Sequence, residues 1–282
     1  MKISVIDTGK FKLDGGAMFG VVPKTIWSKT NPADENNMCS WSMRCLLLEF
    51  DDKKILIDTG IGNKQSEKFF QYFYLHGTDN LINSLKKINV SPDQITHVFF
   101  THLHFDHCGG AVIKHNDQYD LLFKNSIHLT NEIHWKLANN PNGREKASFL
   151  KENFMIIKEK NKLKFINEGD LYSNMKVRFF HGHTAGQMIP IINTNHGTLV
   201  FMADLLPSIG HIPLPYIMGY DTQPLITLNE KKMFLEEAVN NNYILFLEHD
   251  YHYECCTLKR TEKGVRLDKY GSLKELLFNG IT

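Results

Sequence analysis

The chain has 282 residues, of which 42% are hydrophobic and 22% are charged, and this balance excludes an intrinsically disordered protein. Its formal net charge of +1 excludes the strong positive field that nucleic-acid-binding proteins typically carry. No apolar run approaches the roughly 20 residues that a membrane-spanning helix needs.

The predicted elements mix strands and helices along the whole chain. Apolar runs of strand length occur at residues 3–6, 45–50, 55–57, 96–101, 126–129, 177–180, 189–192, 199–202 and 244–248. Apolar residues at helical spacing occur at residues 81–88, 149–157 and 234–238. Residues 91–94, Ser-Pro-Asp-Gln, predict a capping box and one helical turn. We expect one layered α/β domain over residues 1–282, because neither a linker nor a repeat divides the chain.

The cysteines and the N-terminal segment indicate the compartment. The five cysteines are odd in number, and Cys255 and Cys256 are adjacent, which argues against a disulfide framework. Asp7 interrupts the N-terminal segment before it reaches the apolar length of a signal peptide. We therefore expect a cytoplasmic protein with reduced thiols.

The residues that can carry chemistry are concentrated directly after the predicted strand 96–101. Three histidines and one aspartate occur within six residues, namely His102, His104, Asp106 and His107. Side chains two residues apart in extended backbone point the same way, so His102 and His104 can bind one cation together. Asp106 and His107 follow where the chain leaves the strand and can face a second cation. Clustering these groups without a cation would cost electrostatic and desolvation energy, so the pattern predicts a metal site.

This His-x-His-x-Asp-His pattern resembles the signature of the metallo-β-lactamase superfamily, and later segments resemble its other motifs in the same order. Residues 180–187 resemble the Gly-His-Thr-x-Gly motif, residues 199–204 the strand that ends in a bridging aspartate, and residues 246–250 the strand that ends in a histidine. The resemblance implies two divalent cations with seven ligands: His102, His104 and His183 for the first, Asp106, His107 and His249 for the second, and Asp204 bridging both. Such nitrogen and oxygen ligands fit Zn²⁺, which we prefer, and also iron, manganese or cobalt.

The same resemblance implies a fold and a reaction. The fold is an αββα sandwich, in which two mixed β-sheets are flanked by helices. The reaction is hydrolysis by a hydroxide that two cations generate from water, with Asp106 as the catalytic residue that passes a proton to the leaving group. Cys108 adjoins the cluster but fills no ligand position, so we expect a buried thiol. For His181, a contact with a metal ligand and a surface position both remain open.

The substrate is indicated by segments 13–27, 202–208 and 220–224, which resemble the same regions of quorum-quenching N-acyl-homoserine lactonases. The resemblance implies a lactone or ester with an acyl chain. The candidate substrate-binding residues are Met18, Phe19, Val21 and Trp27 at an apolar entrance, together with His211 and Tyr220. Ordinary packing of these loops is the alternative for each position. One departure concerns Pro207, because some lactonases have a tyrosine three residues after the bridging aspartate.

The predicted metal site is also compatible with functions other than lactone hydrolysis. A phosphotriesterase similar to methyl parathion hydrolase and a thioesterase of the glyoxalase II type are the alternatives on the same metal site. Flavodiiron proteins carry a glutamate where this chain has His104 and need a flavodoxin-like domain, so redox chemistry is disfavoured. The missing export signal disfavours a β-lactamase. We expect a small-molecule substrate and neither a nucleic-acid nor a membrane partner, and a homodimer is compatible with the sequence.

Overall fold

A computed structural model describes residues 1–278, which contain fifteen strands and eight α-helices. The strands are β1 (Lys2–Asp14), β2 (Met38–Phe50), β3 (Lys53–Ile57), β4 (His97–Phe99), β5 (Val112–His115), β6 (Gln118–Leu121), β7 (Ile127–Thr130), β8 (Leu163–Phe165), β9 (Gly169–Tyr172), β10 (Met175–Phe180), β11 (Gln187–Thr194), β12 (Gly197–Phe201), β13 (Ile244–Phe246), β14 (Cys255–Thr261) and β15 (Gly264–Gly271). The helices are α1 (Gly15–Phe19), α2 (Lys24–Trp27), α3 (Glu67–Phe70), α4 (Leu81–Lys87), α5 (Phe105–Cys108), α6 (Glu132–Asn139), α7 (Met155–Glu159) and α8 (Pro224–Asn240).

These elements belong to two compact units. Unit 1 consists of Met1–Phe11 and Ser42–Asn167. Unit 2 consists of Lys12–Trp41 and the described residues from Glu168 onward. The expectation of a single domain over the whole chain stays a prediction.

Unit 1 is built around a mixed six-stranded sheet with the order β1-β2-β3-β4-β7-β8. β2 and β3 are antiparallel, whereas β3, β4, β7 and β8 run parallel to one another. The register places Ile57 opposite Phe99 and Phe99 opposite Leu129. Ile55, Leu56 and Ile57 are completely buried, as expected where both faces of a parallel sheet are covered. β5 and β6 form a separate hairpin.

Three helices of unit 1 contribute apolar side chains to one hydrophobic core. The contributing residues are Leu81 and Leu85 of α4, Trp135 and Ala138 of α6, and Ile157 of α7. α4 begins where the Asn80 side chain accepts a hydrogen bond from the Asn83 amide, so the predicted helix at residues 81–88 is confirmed. The Gln94 side chain accepts a bond from the Ser91 amide at 2.8 Å, which confirms the capping box. The helix predicted at 149–157 was partly wrong, because Phe149 lies in extended backbone before α7 begins.

Unit 2 contains a mixed seven-stranded sheet with the order β15-β14-β13-β12-β11-β10-β9. All neighbours are antiparallel except β12 and β13, which run parallel with Val200 opposite Leu245. α8 packs on this sheet, since the rings of Phe234 and Phe180 lie 6.0 Å apart and Glu237 forms an ion pair with Arg178. The predicted helix at residues 234–238 is therefore confirmed. Both large sheets are mixed and carry helices, as the predicted fold class requires.

Two further expectations concern burial and membranes. All five cysteines are buried, and Cys108 is completely so. Burial raises the pKa of the Cys108 thiol to about 12, which agrees with an inert buried thiol. Within residues 1–278, no helix combines the length and the apolar character needed to cross a bilayer.

Candidate metal centre

The loop that follows β4 carries four of the predicted ligands in unit 1. After the strand ends, Thr101 docks on Asp58, which accepts hydrogen bonds from the Thr101 amide at 2.8 Å and from its hydroxyl at 2.6 Å. Asp58 has a left-handed backbone with φ of 59°, a strained conformation of the kind that functional sites often retain. α5 begins directly after His104, so the chain turns away from the sheet within the ligand cluster.

Two glycines allow this loop to lie close against neighbouring backbone. A Cβ atom at Gly109 would lie 2.2 Å from the Ile61 carbonyl oxygen, and one at Gly110 would lie 2.2 Å from the Thr59 carbonyl oxygen. Any other residue at either position would push the loop outward. The two glycines therefore fix the depth at which the ligands of α5 sit in unit 1.

His102 and His104 present ring nitrogens to the same point. His102 Nε2 lies 3.0 Å from His104 Nδ1, and the two rings meet edge to face with centroids 4.4 Å apart. Two nitrogen ligands of one tetrahedral Zn²⁺ stand roughly 3.3 Å apart when each bond is about 2.05 Å. The separation therefore fits two ligands of one cation.

His107 is oriented by a buried carboxylate. Its Nδ1 lies 3.0 Å from Asp58 Oδ2, and both side chains are completely buried. Its Nε2 points the other way and lies 3.7 Å from Asp106 Oδ2. Because Asp58 accepts a hydrogen bond from Nδ1–H and so keeps the proton on that nitrogen, the lone pair of Nε2 remains available to a cation beside Asp106.

Unit 2 brings together the three remaining predicted ligands around one carboxylate. Asp204 Oδ2 lies 3.1 Å from His183 Nε2, and Asp204 Oδ1 lies 3.2 Å from His249 Nε2. Each oxygen of the carboxylate therefore contacts a different histidine. This divergent arrangement is what a carboxylate that bridges two cations requires.

The sheet of unit 2 explains how residues far apart in sequence meet there. His183 follows β10, Asp204 follows β12 and His249 follows β13. The Met202 amide donates to the Phe246 carbonyl at 3.0 Å, so the pairing of β12 with β13 continues up to the candidate ligands. Ala203 turns the chain at a left-handed φ of 41°, which places Asp204 in the turn after β12.

The carboxylates of unit 2 favour positive charge at His183. Burial alone lowers the pKa of this imidazole, but Asp204 and Asp221 outweigh it and raise the pKa to about 10. Asp221 Oδ1 lies 2.9 Å from His183 Nδ1, on the side of the ring opposite Asp204. Buried nitrogen and oxygen donors with surplus negative charge, present in both units, fit a divalent cation.

The six predicted substrate residues have different surroundings within unit 2. The Phe19 ring is stacked between Trp27 at 5.2 Å and His211 at 4.4 Å, and all three side chains are buried. His211 Nε2 donates to the Met18 carbonyl at 2.9 Å, and its Nδ1 accepts from the Ser208 hydroxyl at 2.8 Å.

Two of those six residues lie at the surface instead. Val21 is 94% exposed and Tyr220 is 41% exposed. Met18, Phe19, Trp27 and His211 form a packed cluster, and a role for any of the six residues in substrate binding stays a prediction.

Sequence reasoning missed an aromatic cluster in unit 1. Phe105, which lies between two predicted ligands, packs on Phe69 at 5.3 Å and on Phe73 at 4.7 Å, and Phe70 adjoins Phe69 at 5.6 Å. All four rings are partly exposed. The repeated phenylalanines at residues 69–73 were the available signal, but nothing in the sequence placed them beside the metal loop.

It also missed the carboxylates that lie behind the histidines. These are Asp58, Asp221 and Glu145, which lie within 3.0, 2.9 and 3.6 Å of ring nitrogens of His107, His183 and His104 respectively. His181, by contrast, accepts a bond from the Gly186 amide at its Nδ1 and is partly exposed, so it braces the turn that contains His183.

A family model and a characterised relative both match most of this chain. A family model described as the metallo-beta-lactamase superfamily matches residues 44–249. The N-acyl homoserine lactonase AiiA from Bacillus thuringiensis subsp. kurstaki is 23% identical over 266 residues, which cover 90% of this chain and 94% of that protein.

Two solved structures extend the comparison. A probable metal-dependent hydrolase from Staphylococcus aureus is 30% identical, superposes with a TM-score of 0.87, and covers 96% of both chains. AidC, described as a dizinc quorum-quenching lactonase, is 23% identical, with a TM-score of 0.79 over 94% of this chain and 93% of its own.

Proposed function

Because the chain belongs to the metallo-β-lactamase superfamily, we propose that it hydrolyses its substrate with two divalent cations bridged by Asp204. The family match and the two mixed sheets confirm the predicted fold, and the family match also confirms the prediction of a metal-dependent hydrolase. The observation that carries the proposal of two cations is the Asp204 carboxylate, whose two oxygens lie 3.1 Å and 3.2 Å from two different histidines.

The proposed ligands follow the family's motifs. The first cation would be held by His102, His104 and His183 and the second by Asp106, His107 and His249, with Asp204 shared between them. The 3.0 Å separation of ring nitrogens in the first pair supports the proposal. The family match over residues 44–249 includes residues of both units, so we propose that they form a single catalytic domain. Zn²⁺ is the first cation to test.

The proposed mechanism assigns roles to the side chains. Two divalent cations, when bound, would make hydroxide available at neutral pH and would polarise the bond to be hydrolysed. Asp58 and Asp221 hold the Nδ1 protons of His107 and His183, which keeps each Nε2 directed at its cation. Asp106 is the proposed acid that gives a proton to the leaving oxygen, since its carboxylate lies within the ligand cluster, 3.7 Å from His107 Nε2.

The proposed substrate is an N-acyl-homoserine lactone or a similar ester. The named lactonases among the relatives support this class. The aromatic cluster of Phe69, Phe70, Phe73 and Phe105 supports it too, because partly exposed rings beside the metal loop can bury an acyl chain. Pro207 stands where some lactonases have a tyrosine, so the lactone ring would be assisted differently here.

That departure favours a second candidate. A site without the tyrosine could also accept a phosphotriester, since hydrolysis of either substrate would use hydroxide and polarisation by the cations. A thioester is the third bond to test on the same grounds.

The test combines metal analysis with a substrate panel. Purified protein should contain about two zinc ions per chain. It should hydrolyse N-acyl-homoserine lactones faster than paraoxon-like phosphotriesters or S-lactoylglutathione. Metal removal by a chelator should abolish the activity, and Zn²⁺ should restore it. A preference for the phosphotriester would transfer the assignment to the second candidate, and full activity without metal would refute the proposal.

A further inference from the structure

Glu145 is a buried carboxylate that no predicted ligand set includes. It lies in the loop after α6, and its side chain is 4% exposed. Asn142 holds it from two directions, because the Asn142 side-chain amide donates to Glu145 Oε1 at 2.6 Å while its carbonyl accepts from the Glu145 backbone amide at 3.2 Å. The carboxylate is therefore confined before any cation binds.

The other carboxylate oxygen faces a predicted metal ligand in the same unit. Glu145 Oε2 lies 3.6 Å from His104 Nε2, just beyond hydrogen-bond range. The opposite nitrogen of that ring, Nδ1, lies 3.0 Å from His102 Nε2. The Phe149 ring packs on His104 with centroids 4.8 Å apart, which limits rotation of the imidazole. His104 therefore directs its Nδ1 toward His102, the other histidine proposed for the first cation, and its Nε2 toward Glu145.

Two further candidate ligands also have a carboxylate beside the imidazole ring. His107 has Asp58 behind its ring, and His183 has Asp221. In both cases the supported nitrogen is Nδ1, whereas in His104 it is Nε2, so the imidazole would present the opposite nitrogen to its cation. Burying a carboxylate is costly unless it meets positive charge or polarised N–H groups, and His104 offers such a group.

We infer that Glu145 is the positioning residue for His104: it holds the proton on Nε2 and so directs Nδ1 to the first cation. This inference rests on the proposed two-metal function. Glu145 touches neither substrate nor reacting atoms, and it acts through the imidazole. Replacing it should therefore weaken metal binding rather than change the choice of substrate.

The test compares Glu145→Gln with Glu132→Gln in purified protein. Glu132 makes an exposed ion pair with Lys136, so the control makes the same chemical change at a solvent-exposed carboxylate. Competition with a chelator should show that Zn²⁺ binds about 10 to 100 times more weakly in Glu145→Gln and unchanged in the control. The Co²⁺-substituted variant should also show an altered visible spectrum. The melting temperature of the metal-free protein should stay the same, which separates positioning from a structural role.

Asn142→Ala provides a second measurement if Glu145→Gln fails to fold. It keeps the carboxylate but removes its anchor, so it should weaken Zn²⁺ binding by a smaller factor. Wild-type affinity in Glu145→Gln, in a protein that binds two metals and hydrolyses lactones, would overturn this inference alone. Absence of metal binding in the wild type would overturn the proposed function with it.

Discussion

The two groups of candidate ligands are built in opposite ways. In unit 1, four candidate ligands are neighbours in sequence, and the loop after β4 together with the short helix α5 carries them all. In unit 2, three ligands follow three separate strands and meet only because β10, β12 and β13 belong to one sheet. The first arrangement depends on loop conformation, which Asp58 and two glycines hold, whereas the second depends on sheet register.

This difference teaches where each group is vulnerable. The loop of unit 1 has its support outside the ligands, since Asp58 accepts three hydrogen bonds from the loop. The group in unit 2 is centred on Asp204, which is itself a proposed ligand. We therefore expect a substitution of Asp204 to lower activity more than a substitution of Asp58 does.

Asp204→Asn should give the largest loss. The amide keeps the shape of the side chain, but it removes the negative charge and one acceptor, so only one histidine retains its partner. We expect kcat/KM to fall by roughly a thousandfold, or about 4 kcal/mol, with the fold retained. Kinetics with saturating Zn²⁺ and circular dichroism would check this. Wild-type turnover by the metal-replete variant would refute the bridging role.

Asp58→Asn should have the next largest effect and should exceed that of Asp221→Asn. Asp58 supports Thr101 as well as His107, whereas Asp221 contacts the candidate ligand His183. We expect losses in metal affinity of about 100-fold and about tenfold respectively. Chelator competition measures both. Equal losses would contradict the view that one carboxylate organises the whole loop of unit 1.

Gly110→Ala should destabilise the loop of unit 1 through its backbone. The added Cβ would lie 2.2 Å from the Thr59 carbonyl oxygen, which belongs to backbone that cannot easily move. We expect the free energy of unfolding to fall by about 2 kcal/mol. Gly143→Ala is the matched control, because nothing lies within 4 Å of its Cβ position, and urea unfolding should detect no change there. Equal stabilities of the two variants would show that the loop adapts.

The same contrast explains what the sequence could predict. The ligands of unit 1 were visible from residues alone, because alternation along a strand and close spacing suffice to predict a shared cation. Those of unit 2, such as Asp204, needed the order of family motifs, since their meeting depends on pairing between strands distant in sequence.

Other features could not be predicted, because they arise only from contacts across the folded chain. One such contact is the stacking of the Phe19 ring on His211, whose Nε2 donates to the carbonyl of Met18, 193 residues away in sequence. Strands β14 and β15 were missed because their exposed, charged positions interrupt the apolar pattern. Glu145 was overlooked because a lone acid in a charged loop normally faces solvent.

Each unit also contains a buried histidine, which predicts a dependence of stability on pH. Burial lowers the pKa of His128 in unit 1 from 6.5 to about 4, and that of His211 in unit 2 to about 3. The unfolded chain binds a proton below about pH 6.5 while the folded imidazole stays neutral, so stability is lost as the pH falls from about 6.5 toward 4.

For His128 the expected loss is about 2 kcal/mol between about pH 7 and pH 5. His128→Phe removes the titration while keeping a ring against Phe100, so its unfolding free energy should depend less on pH. Urea unfolding at both pH values measures the difference, with the exposed His115→Phe as control. An unchanged pH dependence in His128→Phe would refute the assignment.

The smallest effect should come from the aromatic cluster beside the loop of unit 1. Phe105→Ala removes a partly exposed ring that packs on Phe69 and Phe73, so an acyl chain would lose contact area while the ligands stay in place. We expect KM to rise about tenfold for a decanoyl lactone, or about 1.4 kcal/mol, and much less for a butanoyl lactone, with kcat nearly unchanged. Phe19→Ala should instead lower stability, because that ring is fully buried in unit 2. If Phe19→Ala shifted the chain-length preference and Phe105→Ala did not, the acyl chain would have to be assigned to unit 2.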